Sequence, residues 1–396
     1  MMRKLEKFLE QKGVEYAPFD PKRAPKLLEQ LNLSFNANQI IIQIIGTNGK
    51  GSTGRFLALA LKALGVNVGH FTSPHLLSLC ERFWINGENI AESALEHAFE
   101  SLDLEILKEA SYFEVLTFLA FRVFSACEVV ILEAGLGGEY DSTTTCSSPK
   151  LTLFTSIGID HETYLGESIE AIATTKLNAM AKIAVLGIQR EKVVISIAQK
   201  IVKEKGAHLV QINTIPKEIS QFVQAKHYPS YQAQNLALAW QGLLELQQIK
   251  KLPNFTLESL LKILPPLDLQ GRFQKLLPNV YLDVLHNVDG AKVLLECDTL
   301  NKNKTILIYN SYFDKNPKKI LFLLKSKIKR VEIFEVKNPR IIEKSLLEKI
   351  LEELEIPYCN FCGINQKEQY LVCGSFSVVA KFLKEFQANR IMDNKE

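Results

Sequence analysis

The sequence predicts an α/β protein of two parallel-sheet domains, a larger one over residues 1–267 and a smaller one over 268–396. Three observations predict it. Strand and helix patterns alternate through the first two thirds of the chain, which implies a mostly parallel sheet covered on both faces. Pro265-Pro266, followed by Gly271, interrupts that alternation. A second and shorter alternation then runs almost to the end. The length of 396 residues agrees, being enough for two domains or a little more.

Bulk composition narrows the class. Apolar residues make up 47% and charged residues 23%, an ordinary globular balance. The net charge of +3 is spread along the chain. It is too weak to argue for a nucleic-acid partner and leaves open a locally basic cleft for an anionic substrate. No apolar run approaches the ~20 residues that span a bilayer. The amino terminus, MMRKLEKFLEQKG, is charged and amphipathic and lacks a signal-peptide h-region. The seven cysteines are odd in number, scattered and mostly in apolar segments, which reads as reduced thiols in a cytoplasm. Cys359 and Cys362 have CxxC spacing. No second pair stands at zinc spacing, so neither a metal nor a redox role is favoured for them.

The elements follow in order. Residues 40–45 are a continuous β-branched run, as expected of a strand buried on both faces. Residues 53–64 have apolar groups at helical spacing, with Gly65 as C-cap. Residues 66–71 are short and β-like; 72–87 are irregular. Helices are expected at 90–102 and 112–124, buried strands at 128–134 and 151–157, and a helix at 167–183. Strands at 192–197 and 207–212 flank a short helix, and a long helix covers 231–248. The second series is Rossmann-like: strand 280–285, a helix near 291–300, strand 305–309, helix 317–325, strand 330–335, helix 343–354, strand 370–372 and helix 376–386. The polar tail 388–396 is expected to fray.

Strand, glycine-rich turn and helix meet at Gly46-Thr47-Asn48-Gly49-Lys50-Gly51-Ser52. Glycines let a turn aim its N–H groups inward, and the next helix presents its positive end to an anion. Lys50 supplies a point charge for β and γ phosphates, and Ser52 or Thr53 supplies a hydroxyl. These features make the first domain P-loop ATPase-like. The alternative, a glycine-rich turn with an exposed lysine, is weaker because strand, turn chemistry and helix agree. The common Walker A pattern does not fit: Ile44 stands where its first glycine belongs, and Gly51 follows Lys50.

The loop instead resembles the ATP loop of the Mur ligase superfamily, amide ligases that join an amino acid to a carboxylate. The glycine between Lys50 and Ser52 narrows the resemblance to the folylpolyglutamate synthase / dihydrofolate synthase family. Residues 1–267 would then be the ATP-binding central domain and 268–396 the glutamate-ligase domain. Thr47, Asn48, Gly49, Lys50, Gly51, Ser52 and Thr53 would hold ATP.

Further motifs admit a plain and a functional reading. Phe71-Thr72-Ser73-Pro74-His75-Leu76, with Glu81-Arg82-Phe83 after it, is a loop at the carboxyl end of a strand, where open α/β sheets bind ligands. Its polar residues could equally be surface decoration. It resembles the family's substrate loop. There the serine matching Ser73 reaches magnesium, and Thr72, Pro74, His75 and Arg82 would meet substrate under a flexible cover on the pterin. Glu133 ends a buried strand before Gly135-Leu136-Gly137-Gly138, well placed to hold a hard cation beside the phosphate loop; the plainer reading is a charge capping the turn. Glu-Ala-Gly-Leu-Gly-Gly-Glu-Tyr-Asp-Ser-Thr resembles the family's Glu-Val-Gly-Leu-Gly-Gly-Arg-Leu-Asp-Ala-Thr. That makes Glu133 a magnesium ligand and Asp141 a substrate-pocket residue. Glu139 stands where the family has arginine, a charge reversal near the pocket.

Ser156-Ile157-Gly158-Ile159-Asp160-His161 again ends a strand in polar groups. The matching family histidine binds a second magnesium. Lys176 is an ordinary helix lysine by sequence. Its family counterpart is carbamylated and ligates metal, in the context Glu-Lys-Ala-Gly where this chain has Thr175-Lys176-Leu177-Asn178. Asn235, by itself a helix amide, matches the family's adenine contact. Gly271-Arg272-Phe273-Gln274 matches the family's Gly-Arg-Phe-Gln. An arginine there can reach a phosphate with its planar fork. Asp283 and His286, in Asp283-Val284-Leu285-His286-Asn287, would meet ribose and phosphates. Val288 replaces the family's proline. Phe313-Asp314-Lys315 and Gly374-Ser375-Phe376 complete the series, with Ser375 assigned to substrate. The matches run in order from Ile40 to Phe376.

The resemblance implies ATP-dependent ligation of L-glutamate to dihydropteroate, a reduced folate or its (poly)glutamate, through an acyl phosphate, with release of ADP and phosphate. Lys50, His161 and Lys176 would be catalytic. Ser73, Glu133, His161 and carbamylated Lys176 would hold Mg2+ at two sites. A cytoplasmic monomer acting on small molecules, without nucleic acid or membrane, is expected. The alternatives are a cell-wall amino-acid ligase, a P-loop phosphotransferase and a nucleotide-binding module without catalysis.

Overall fold

The computed structural model describes residues 3–13, 20–296 and 304–393. Residues 297–300 of the helix expected near 291–300 lie outside them, as do 394–396 of the tail. The chain divides into two compact units. The first comprises Met1–Phe222 and Gln232–Asp268, the second Val223–Tyr231 and Leu269–Glu396. Residues 223–231, expected with the first domain, group with the second; there the Tyr231 hydroxyl donates to Asp283 Oδ2 at 3.1 Å.

The first unit holds helices α1 (Arg3–Glu10) and α2 (Arg23–Gln30), strand β1 (Ile40–Ile45), helix α3 (Lys50–Ala63) and strands β2 (Val68–Phe71), β3 (Phe83–Ile85) and β4 (Glu88–Asn89). Helices α4 (Glu92–Glu100), α5 (Leu104–Glu109) and α6 (Tyr112–Val123) precede β5 (Val129–Glu133), α7 (Ser142–Thr145) and β6 (Leu151–Phe154). Then come α8 (Glu162–Leu165), α9 (Ile169–Leu177), β7 (Ile183–Leu186), α10 (Lys192–Lys205), β8 (His208–Gln211), α11 (Lys217–Ala225, of which the residues after Phe222 group with the second unit), α12 (Gln232–Ile249) and α13 (Leu257–Ile263). The strand order is β4-β3-β2-β5-β1-β6-β7-β8. Every pairing from β2 to β8 is parallel; β3 and β4 join antiparallel.

Strand alternation assigns the faces. Phe154 packs with α9 and α10 residues such as Ile172 and Ala198, whereas a Cβ on Gly242 of α12 would touch its neighbour Leu153. Helices α3 and α12 therefore lie side by side on one face and α9 and α10 on the other. The stretch 192–197, read as a strand from Val-Val-Ile, is the start of α10. Its buried residues Val194, Ala198 and Ile201 recur at helical spacing. The strand in that part of the sheet is β7, of which the sequence reading covers only Ile183, as the last residue of the helix expected at 167–183.

The second unit has strands β9 (Arg272–Leu277), β10 (Val280–Asp283), β11 (Thr305–Tyr309), β12 (Ile328–Ile333), β13 (Tyr358–Asn360) and β14 (Tyr370–Cys373), ordered β13-β12-β11-β14-β10-β9. All are parallel but β9, which the sequence reading left as a boundary motif. Helices α14 (Val288–Leu295), Pro317–Leu324, Lys344–Glu353 and Phe376–Asp393 accompany the sheet. No helix among the described residues is long and apolar enough to cross a membrane.

One buried polar group governs packing of α3 on the first sheet. His70 of β2 is fully buried, and its Nδ1 accepts from Arg55 Nε at 3.2 Å. A Cβ on Gly54 would stand 2.4 Å from His70 Nε2, so only glycine lets α3 approach this closely. Burial, and then the Arg55 charge, holds the imidazole well below its ordinary value of 6.5. The unfolded chain takes up a proton below that value and the folded chain does not. The contribution to stability is thus complete above about pH 6.5 and is lost as pH falls. Unfolding free energy is expected to fall by up to about 1.4 kcal/mol per pH unit below 6.5. The His70→Gln variant should flatten that slope in denaturant titrations at stepped pH; an unchanged slope would refute the assignment.

Candidate active site

Strand β1 delivers the chain to Gly46 at the carboxyl edge of the first sheet, and α3 departs from Lys50. Gly46 has φ +154°, and a Cβ there would lie 1.8 Å from Thr155 Oγ1. Gly49 has φ +88°, and a Cβ there would lie 2.3 Å from Asn235 Oδ1. Both positions require glycine. The loop is tied to the segment after β6. Thr47 N–H donates to Ser156 O at 2.8 Å, its hydroxyl donates to Gly158 O at 2.9 Å, and Gly158 N–H donates to that hydroxyl at 3.0 Å. Lys50 Nζ lies 3.3 Å from Gly46 O and from Thr47 O. Ser52 Oγ accepts from Gln232 Nε2 at 3.4 Å, and Gln232 Oε1 accepts from Asn235 Nδ2 at 2.9 Å. The Thr53 hydroxyl is buried and has no hydrogen-bond partner among the described residues. First-turn N–H groups of a helix have no intrahelical acceptor. The start of α3 therefore offers an anion N–H donors, a helix dipole and Lys50.

Glu133, at the end of β5, is buried. Its Oε2 accepts from the Thr72 hydroxyl and, at 3.2 Å, from Ser73 N–H. The loop after β2 is built around a second carboxylate. Glu81 accepts from the N–H groups of Leu76, Leu77 and Ser78 at 2.7, 2.8 and 2.9 Å. Arg82 is buried, donates from Nε to His75 Nδ1 at 2.9 Å, and places its guanidinium 5.6 Å from the Tyr112 ring centre. The Ser73-Pro74 bond is cis.

Lys176 comes to the same loop from α9. It is buried, and its Nζ donates to Gly46 O at 3.0 Å. Burial first, then the Lys50 charge, pushes its amine down to about 7, against the pull of Asp160 and Asp141. His161 has φ +55° and caps α8; its Nε2 stands 4.0 Å from Asp160 Oδ2. Lys50, Lys176, Thr47 and the Asp160-His161 segment thus share one sheet edge.

Two expected contacts are used locally. The Asp141 carboxylate accepts from the N–H groups of Gly135, Leu136 and Thr143 at 2.9, 2.8 and 3.0 Å, and from the Thr143 hydroxyl. It caps α7 and fixes the turn after Glu133. In the second unit, Ser375 is fully buried and its hydroxyl accepts from Val378 N–H at 3.3 Å, a helix cap. Also in that unit, Arg272 and His286 meet on one ring. The Arg272 guanidinium is 5.2 Å from the Phe376 centroid, and the His286 ring 5.6 Å. Asp283 is buried, and burial raises its carboxyl above the ordinary value; it accepts from Leu285 N–H at 2.8 Å. The sequence reading gave no role to Thr155, Gln232 or Asp160. Gln232 lies one helical turn before Asn235, the one spacing cue to its part in the site.

No group of three or more His, Cys, Asp or Glu converges to hold a metal among the described residues. The donor set still suits a hard cation of the magnesium type, which takes one or two carboxylates and completes its shell with phosphate and water. Glu133 and the Ser73 hydroxyl stand at the phosphate-loop edge, and the contacts above engage only one of the two Glu133 oxygens.

No family model matches the chain. It is 31% identical over 399 residues to the dihydrofolate synthase/folylpolyglutamate synthase of Buchnera aphidicola subsp. Schizaphis graminum, covering 92% of this chain and 91% of that protein. The crystal structure of Helicobacter pylori folylpolyglutamate synthetase is 39% identical with a TM-score of 0.77, over 97% of this chain and 98% of that one. E. coli FolC in complex with DHPP and ADP is 26% identical with a TM-score of 0.81, over 98% of each. A bifunctional folylpolyglutamate synthase/dihydrofolate synthase with Mn, AMPPNP and L-glutamate bound shares the fold at 24% identity and a TM-score of 0.79, over 97% of this chain and 98% of that one. A relative matched at this identity along nearly its whole length settles the lineage: the chain belongs to the dihydrofolate synthase/folylpolyglutamate synthase family.

Proposed function

We infer that this chain is an ATP-dependent ligase that joins L-glutamate to the carboxylate of dihydropteroate or a reduced folate and releases ADP and phosphate. The reading rests foremost on the convergence of Lys50, Lys176 and the start of α3 on Gly46 beside Glu133. Family membership supports it over the cell-wall, phosphotransferase and non-catalytic alternatives. Further support comes from relatives: one solved structure holds DHPP and ADP, another Mn, AMPPNP and L-glutamate. All partners are small molecules, and a single cytoplasmic copy is our reading of the active form.

A carboxylate does not condense with an amine in neutral water, because its oxygen is a poor leaving group. In the proposed path a carboxylate oxygen of the acceptor attacks the γ-phosphorus and ADP leaves. The glutamate nitrogen then attacks the acyl carbon, loses a proton, and phosphate departs with the former carboxylate oxygen. Lys50 and the loop N–H groups stabilise charge on the phosphoryl group in flight. Thr47, Asn48, Gly49, Gly51, Ser52 and Thr53 cradle the phosphates. Asn235 is assigned to the base; Arg272, Asp283 and His286, in the second unit, to the nucleotide. Thr72, Pro74, His75 and Arg82 are assigned to the acceptor. Asp141 and Ser375 are given to substrate indirectly, through the backbone they hold. Ser73 and Glu133 would hold one Mg2+, and His161 with Lys176 a second, supplying charge neutralisation at the β and γ phosphates. An amine near 7 is substantially neutral at physiological pH and can add carbon dioxide. The resulting carbamate would give Lys176 the oxygen ligands that a hard cation prefers, and we assign it that form.

Offering dihydropteroate and tetrahydrofolate separately in an ADP-release assay tests the function. Glutamate-dependent release with at least one is expected; none with either would rule out the proposed reaction. Lys50→Ala should slow that release about 10²–10³-fold, and near-normal release would contradict the role given to the loop. Glu133→Gln keeps an acceptor for Thr72 and Ser73, so its melting temperature should match wild type. Its Mg2+ requirement should rise about tenfold or more, and an unchanged Mg2+ titration would remove Glu133 from the metal site.

A further inference from the structure

The turn that follows Glu133 touches the helix carrying Lys176 at three places. Glu139 N–H donates to Thr175 O at 3.0 Å. Glu139 Oε2 accepts from Asn178 Nδ2 at 2.8 Å. A Cβ on Gly138 would stand 2.8 Å from Lys176 O and 2.9 Å from its Cα, so the turn lies directly against the lysine backbone. The residue before Lys176 and the residue two after it are both tied to Glu139. The turn itself is fixed, because Asp141 accepts from Gly135 and Leu136 N–H at 2.9 and 2.8 Å.

Lys176 needs such support. It is the penultimate residue of α9, a helix of 9 residues, and the last turn of a short helix frays readily. Its amine must still reach Gly46 O, 3.0 Å away. Asn178 is the C-cap of α9, and a carboxylate beside the carbonyl end of a helix is electrostatically disfavoured. The Asn178 amide gives the Glu139 carboxylate a directional partner there, and lysines line the space beside it. Beyond the pair lies a cavity of about 440 Å³ lined by Lys150, Lys182 and Lys205 among others. On its wall Lys205 Nζ donates to Asn178 O and, at 3.4 Å, to Met180 O, which ties the helix end to α10 and not to the turn after Glu133.

We propose that Glu139 is a positioning residue for Lys176, acting through the Asn178 amide to hold the carboxyl end of α9 against the turn that begins at Glu133. The proposal rests on the role given to Lys176 above, and the test separates the two. Glu139→Ala, Asn178→Ala, the double variant and Glu139→Gln, which keeps an acceptor oxygen, are compared with Lys176→Ala. Glu139→Ala and Asn178→Ala should each lower kcat about tenfold with KM for ATP nearly unchanged, and the double variant should be no worse than either. Glu139→Gln should restore wild-type turnover. Independently of activity, hydrogen exchange in 169–178 should quicken in both alanine variants and return to normal in Glu139→Gln. Full multiplicative loss in the double variant, or normal exchange in Glu139→Ala, would overturn the proposal. Normal turnover in Lys176→Ala would instead overturn the functional role of Lys176, while the exchange data still decide whether Glu139 holds α9.

Discussion

The parallel register of three central strands is the constraint on which everything else at this edge depends. Ile44 of β1 lies opposite Glu133 of β5, and Ile45 opposite Phe154 of β6. With all three strands running the same way, their carboxyl ends coincide. The phosphate loop leaves β1, the acidic turn leaves β5 and the Asp160-His161 segment follows β6, all from one line of backbone. A shift of one residue in either pairing would turn every side chain of the shifted strand to the other face. Glu133 would then face a helix layer instead of Thr72 and Ser73.

Among the described residues neither Lys50 nor Lys176 forms a salt bridge at that edge. Lys50 and Lys176 both donate to Gly46 O, a neutral acceptor, and Lys50 is the leading charge acting on the Lys176 amine after burial itself. Two ammonium groups sharing one carbonyl are better served by a polyanion than by each other. Burial, and then that crowding, lowers the Lys176 amine to about 7, so a substantial fraction is in the neutral state in which an amine is a nucleophile and a ligand precursor. Elsewhere the unit neutralises buried charge conventionally. Arg55 pairs with Asp268 at 2.8 Å and stacks 4.8 Å from Trp84, and Trp84 Nε1 donates to Asp268 at 3.0 Å. The contrast separates a site kept open for a ligand from a network that closes on itself.

Much of this was legible in the residues alone, because strand runs, glycine turns and helix starts are local signals. The β1-loop-α3 unit follows from Ile40–Ile45, three glycines and the helical spacing after Lys50. Non-local facts were hidden. The strand-like Val193-Val194-Ile195 is helical because its burial period is set by the sheet beneath it, which no window of sequence contains. β9 reads as a boundary motif because an antiparallel edge strand leaves little periodic trace. Glu139 alone reads as a charge reversal beside a pocket; its partner Asn178 lies 39 residues away. Asp141 and Ser375 sit within recognisable motifs, yet their polar atoms serve the backbone, a role that motif matching cannot distinguish from ligand contact.

In the proposed reaction the acceptor carboxylate is phosphorylated before it meets glutamate. The most direct measurement is to label both oxygens of that carboxylate with 18O and analyse the phosphate released during a single turnover. Transfer through an acyl phosphate places one labelled oxygen in each phosphate formed with product. Phosphate free of label, with amide product formed at the normal rate, would contradict the mechanism and would leave the phosphate loop as an energy source uncoupled from carboxylate activation.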